Sequence, residues 1–201
     1  FSSNEINTVI IILSKCFIET KSNKLQNLII ELFTLIFQLN DQICKIYSIY
    51  LIDNKEFFEK LIQSNQLNES LFKILISMHP NYLLTKFVAI FDLVINDSVN
   101  DNENYFSLFE LILLSINSEK TSPENLNEIN KIFEKCISKL DDAQFKYFDK
   151  TSELVSIFIK KFNKALNEAI VVKLIYGVFD NYQNHEGAVF SILTEIFNST
   201  E

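Results

Sequence analysis

Polar side chains between residues 22 and 40 fall at Lys24, Asn27, Glu31, Thr34 and Gln38, in steps of three or four. On a helix that spacing draws one narrow polar stripe, and apart from Gln26 the positions between are all Leu, Ile or Phe. A helix this apolar is expected to be covered on two sides, yet it is too interrupted to span a membrane.

The same grammar runs along the whole chain. Residues 4–20 open it, with Ser3 or Asn4 as N-cap and Ile6, Val9, Ile10, Leu13 and Phe17 along one face. Asp41 can cap a third helix at 42–52, carrying Ile43, Ile46, Tyr47 and Tyr50, and a short helix at 54–63 bears Phe57, Phe58 and Leu61. Residues 67–78 point Leu71, Phe72, Leu75 and Met78 inward and Glu69, Lys73 and Ser77 outward, and Pro80 either ends that helix or starts the one at 81–96. The polar run at 96–104, with Val99 its only apolar member, reads as a loop. A helix at 104–117 has Glu103, Ser107, Glu110 and Asn117 on one stripe. Thr121-Ser122-Pro123-Glu124 then launches 123–140, with a hydroxyl cap, Pro at the first position and acid in the first turn. Asp141-Asp142 is expected to begin a short helix to about 149, and Thr151-Ser152-Glu153 to cap 152–166 with Glu153, Ser156, Lys160 and Asn163 on its stripe. Helices at 168–181 and 186–198 close the chain.

Grouped in pairs, apolar helical segments start near residues 5, 42, 82, 123 and 168, an interval of about forty. By period and helix grammar, and without a signature motif, the chain resembles an α-solenoid of the HEAT/armadillo kind. The resemblance implies an all-α fold of about ten helices stacked as antiparallel pairs, one repeat domain over 1–201; an irregular helical bundle is the alternative. Two glycines and two prolines in 201 residues agree, because sheets need turns and turns draw on both. A start without Met and apolar terminal helices suggest a piece of a longer protein.

Charge narrows the partners. The net charge is −8, all 18 basic residues are lysine, and arginine forks are therefore absent. An overall anion without a basic face disfavours nucleic acid, leaving the nine lysines of 131–173 as the only candidates for it. No cation lies between Lys86 and Lys120, where Asp92, Asp97, Asp101, Glu103, Glu110 and Glu119 accumulate. An acidic middle of this kind suits a protein partner with a basic segment. Cys16, Cys44 and Cys136, odd in number and with apolar neighbours, read as buried thiols of a reducing compartment. The expected location is cytoplasmic, with the nucleus as the other possibility.

Signatures of chemistry fail one after another. Neither GxxxxGK[ST], GxGxxG nor GxSxG can be written with Gly177 and Gly187. His185-Glu186-Gly187 lacks the second histidine of a zinc helix and reads as a helix N-terminus with acid in its first turn, and His79-Pro80 reads as a helix end. Asp141-Asp142 has Phe145 where a third acid would complete a metal motif, and the 96–104 loop offers no register for calcium. No cofactor, metal or catalytic residue is therefore assigned. The expected function is a non-catalytic interaction scaffold that binds its partner along a concave face; an all-helical enzyme or small-ligand domain with a dispersed site is the alternative. The candidate partner-binding residues are Asn27, Glu31, Gln38, Glu110, Asn117, Lys160 and Asn163.

Overall fold

The computed structural model describes residues 3–39, 41–64, 69–95, 103–117, 121–142, 145–162, 168–180 and 183–199. These residues form eleven α-helices and no strand: α1 (Ser3–Glu19), α2 (Asn23–Leu39), α3 (Asp41–Asp53), α4 (Lys55–Ile62), α5 (Glu69–Met78), α6 (Pro80–Ile95), α7 (Asn104–Ser115), α8 (Pro123–Lys139), α9 (Phe148–Phe162), α10 (Glu168–Asp180) and α11 (Glu186–Ser199). Their packing divides into two units, residues 1–83 and 84–201. No single helix among the described residues is long and apolar enough to cross a membrane.

Helix starts follow the local side chains. Ser122 accepts from the Asn125 amide at 3.3 Å with Pro123 first in α8, as its sequence predicts, and Asn54 accepts from the Phe57 amide at 3.1 Å to start α4. Pro80 opens α6, where its missing N–H costs nothing. On α5 Leu71, Phe72 and Leu75 of the inward set are buried while Met78, at the helix end, is half-buried, and the outward Glu69 and Lys73 pair at 2.8 Å.

In the first unit α2 packs against α1, α3 and α5, while α4 packs against α1 and α3. Phe17, Phe33 and Phe57 meet at its centre, with Phe57 4.9 Å from Phe17 and 5.5 Å edge-on from Phe33. Lys60 lies beside this cluster and donates to the carbonyls of Ile18 (2.5 Å) and Thr20 (2.8 Å), satisfying the end of α1.

The second unit is built around α9, which packs against α7, α8 and α11; α10 rests on α8 and α11. Phe158 stacks on Phe133 at 3.8 Å and meets Phe162 at 5.3 Å, while Phe91 stacks on Phe109 at 4.7 Å. Lys161 repeats the device of Lys60, donating to the carbonyls of Leu113 (2.7 Å) and Leu114 at the end of α7. Burial lowers its pKa from the ordinary lysine value.

Several expectations are corrected. Within its unit α2 is covered on one side only: Ile29, Ile30, Phe33 and Phe37 are buried, whereas Leu25, Leu28, Leu32, Leu35 and Leu39 are exposed. On α3 the buried line is Cys44, Ser48 and Leu51, leaving Ile46 and Tyr50 exposed. Residues 141–142 and 145–147 make turns in place of a short helix. The amides of Asp142, Phe145 and Phe148 each bond three residues back, because Phe145, Tyr147 and Phe148 are all buried and cannot share one helical face. Helix α9 therefore starts at Phe148, and Thr151 and Ser152 sit buried inside it, Ser152 donating back to the Phe148 carbonyl at 2.9 Å. Cys16 is exposed, since the buried line of α1 runs through Ile10, Ser14 and Phe17; Cys44 and Cys136 are buried as expected. Residues 96–102 of the expected loop lie outside the described residues.

Candidate interaction surface

The most developed polar surface belongs to the second unit and is assembled from α7, α9 and the start of α11. Buried aromatic rings fix its floor: α9 cannot rotate without lifting Phe158 off Phe133. That leaves Asp149, Glu153 and Lys160 exposed along α9 and Glu110 half-buried on α7. Lys150 donates to Glu153 at 3.1 Å. This bond, helped by the fields of Glu153, Glu110 and Glu103, holds the Lys150 pKa above its ordinary value against a smaller opposing effect of burial. Glu153 is the carboxylate in contact with this ammonium, and the fields of Glu110 and Glu103 reach it from the α7 side.

Beside it lies an open cavity of about 540 Å³, lined by Asp149, Ser152 and Glu153 of α9 and by His185, Glu186 and Ser191 around the start of α11, among others. His185 is held twice: its ring stacks on Phe148 at 3.8 Å and its Nδ1 lies 3.1 Å from Asp149 Oδ1. Glu186 stands in the first turn of α11, as the sequence reading has it, where the helix dipole favours an acid. Ser156 faces Ser191 at 3.3 Å, which removes it from the exposed stripe. Of the two hydroxyls of this cavity, Ser152 donates to a carbonyl and Ser191 pairs with Ser156, so the wall presents chiefly carboxylates, an imidazole and the Asn184 amide. Such a wall suits a cationic side chain. Among the described residues no group of three or more His, Cys, Asp or Glu is placed to hold a metal ion.

The candidate residues divide between the units. Asn27, Glu31 and Gln38 are exposed on one stripe of α2. In the second unit Glu110 belongs to the acidic surface, Lys160 is exposed two turns beyond Glu153, and Asn117 is exposed beyond the C-cap Ile116, off α7. Asn163 lies outside the described residues. Sequence reasoning missed the Asp149–His185 junction. Its signal was a separation of 36 residues, close to one repeat, between an acid and a histidine.

Residues 56–175 match the family described as "URB1, central HEAT repeat domain", which is more than half of the chain. The chain belongs to this HEAT repeat family. No curated protein and no solved structure matches it. The HEAT match contains Glu110, Asn117, Lys160 and Asn163, together with the α9 wall of the cavity; α2 precedes it and His185 follows it. Membership agrees with the forty-residue period and with the all-helical structure.

Proposed function

We infer that the chain is a non-catalytic protein-binding segment of a URB1-type ribosome-biogenesis protein, and that its partner presents a basic segment to the α7–α9–α11 surface. HEAT repeats typically mediate protein binding, and URB1 is a family without known catalytic activity. The observation that carries the finer reading is the open cavity walled by Asp149, Glu153, His185 and Glu186, beside the Lys150–Glu153 pair. Composition supports it. Residues 84–201 hold 11 lysines against 18 acids, a net −7, while residues 1–83 hold 7 against 8. A local excess of one sign steers a partner of the other and fixes its register.

Ribosome biogenesis favours the nucleus over the cytoplasm as the place of action. We read residues 1–201 as one stretch of repeats within a longer polypeptide. The polar stripes supply the partner contacts, Asn27, Glu31 and Gln38 on α2 and Glu110, Asn117, Lys160 and Asn163 in the second unit.

The test is affinity purification from nuclear extract with the wild-type chain and with Glu110→Lys/Glu153→Lys. A stoichiometric protein partner lost in the double variant supports the reading. The same partners on both baits, or turnover of a small molecule by the chain, overturns it.

A further inference from the structure

The exposed leucines of α2 fall at 25, 28, 32, 35 and 39, alternating steps of three and four. Each is between 43% and 84% exposed, while Ile29, Ile30, Phe33 and Phe37 on the other side are 2% exposed or less. Alternating three and four averages 3.5 residues, the period of a seam that a second helix follows at a crossing angle of roughly 20°. A lipid surface asks for something else, a broad apolar face bordered by basic residues. Here the border is the polar stripe, one residue before each leucine, with a single cation (Lys24) and a single acid (Glu31).

We propose that the leucine seam of α2 docks an amphipathic α-helix of a partner protein, one carrying its own apolar three-four repeat, a basic residue opposite Glu31 and an acidic residue opposite Lys24. The proposal rests on the reading of the chain as a protein-binding segment and moves the contact on α2 from the polar stripe to the seam, leaving the stripe to set register.

Two features on the helix argue for a foreign helix. A second copy of α2 laid antiparallel over all five leucines centres on Leu32, which sets Glu31 against Glu31 of the other copy, like charge beside like charge. Laid parallel, the second copy faces Lys24 and Glu31 with Ile29 and Ile36, where no charge answers. The chain's own helix contacts, moreover, set phenylalanines among their aliphatic side chains. In the first unit they run through Phe17, Phe33, Phe57, Phe58 and Phe72, and the face that α2 gives to them contains Phe33 and Phe37. The seam has no aromatic residue in a chain with 19 phenylalanines, so its chemistry differs from that which packs one helix of this array on the next.

The experiment uses the 201-residue chain and a fluorescent synthetic helical peptide with leucine at every a and d position. One peptide bears lysine opposite Glu31 and glutamate opposite Lys24; a second has these charges exchanged. The expected results are a monomeric chain by sedimentation equilibrium, saturable binding of the first peptide, and at least tenfold weaker binding by Leu28→Glu/Leu32→Glu. Glu31→Lys is expected to shift preference toward the exchanged peptide. Leu32→Gln, read beside circular dichroism, serves as the milder variant should the double one unfold. Equal binding by wild type and seam variants, no binding by either, or a wild-type dimer dissolved by Leu32→Gln overturns the proposal. Binding of basic peptides to the α7–α9–α11 surface is measured on the same seam variants and is expected to be unchanged, so either reading can fail without the other.

Discussion

Phe158 and Phe190 give the same side chain in opposite surroundings, and truncating each to alanine tests which aromatic residues hold the fold. Phe158 is 2% exposed and stacks on Phe133 at 3.8 Å, whereas Phe190 is 61% exposed. The space left among Phe158, Phe133, Leu154 and their neighbours is about 10 Å³, at the lower edge of what one water needs. The site therefore has no slack, and removing the ring opens a new void instead of enlarging an old one. Large-to-small changes at such sites cost about 3–5 kcal/mol, and the lost stacking places Phe158→Ala in the upper half, near 4 kcal/mol. Against a typical stability of roughly 5–15 kcal/mol that is a quarter or more of the whole. At about 2–4 °C per kcal/mol for a chain of this size, the melting temperature should fall by roughly 8–16 °C. Phe190→Ala should stay within about 0.5 kcal/mol, as surface substitutions do. Urea unfolding followed by far-ultraviolet circular dichroism measures both, with an unchanged slope as the sign that only stability moved. A cost below about 1.5 kcal/mol for Phe158→Ala, or equal costs for the two variants, would refute the assignment of this aromatic stripe to the core.

Four further outcomes follow from local chemistry. Cys16 is exposed and should react with a thiol reagent in the native chain, while Cys44 and Cys136 should react only on unfolding; stoichiometric labelling followed by mass spectrometry checks this. Burial, aided at Cys44 by the charge of Asp41, pushes these two thiols up to about 11 and about 12. The folded state thus keeps protons that the unfolded state releases near pH 9, so stability should fall as pH rises above 9, and Cys136→Ala should flatten that fall in urea titrations across pH. Asn54→Ala removes the cap on the Phe57 amide and should cost about 1 kcal/mol by urea midpoint, with Asn54→Ser restoring most of it. Lys60→Met keeps the apolar stem but removes both donors to the Ile18 and Thr20 carbonyls; a loss of about 2 kcal/mol and faster amide exchange at the end of α1 are expected.

Helices and their starts were legible because caps and spacing act locally. Ser122-Pro123 needed no knowledge of the rest of the fold, and the pair Phe158–Phe162 had only one apolar face wide enough to bury it. Which face of a helix is buried was not legible where two apolar faces compete. On α2 the Ile/Phe line and the leucine line are both periodic, and on α3 Cys44-Ser48-Leu51 competes with Ile43, Ile46 and Tyr50; neighbouring helices decide, and periodicity does not name them. The turn at 145–147 defeated helix reasoning because three nearby aromatic residues all had to reach the core. Thr151 and Ser152 looked like a cap for the ordinary reason that hydroxyls favour caps. Extension of α9 back to Phe148, which stacks on His185, overrode that local preference. Of the candidate surface, the acidity of Glu103 and Glu110 was readable, but bringing their fields to bear on Lys150 required α7 to lie on α9.

By the proposed function, the α7–α9–α11 surface receives a basic segment. Nuclear magnetic resonance of the isotopically labelled chain, titrated with a lysine-rich peptide at moderate salt, is the decisive experiment. Saturable shifts confined to residues 103–110, 149–153 and 184–191, weakened by salt and lost in Glu110→Lys/Glu153→Lys, are the predicted result. Shifts scattered over both units, or an undiminished response in the double variant, would contradict it.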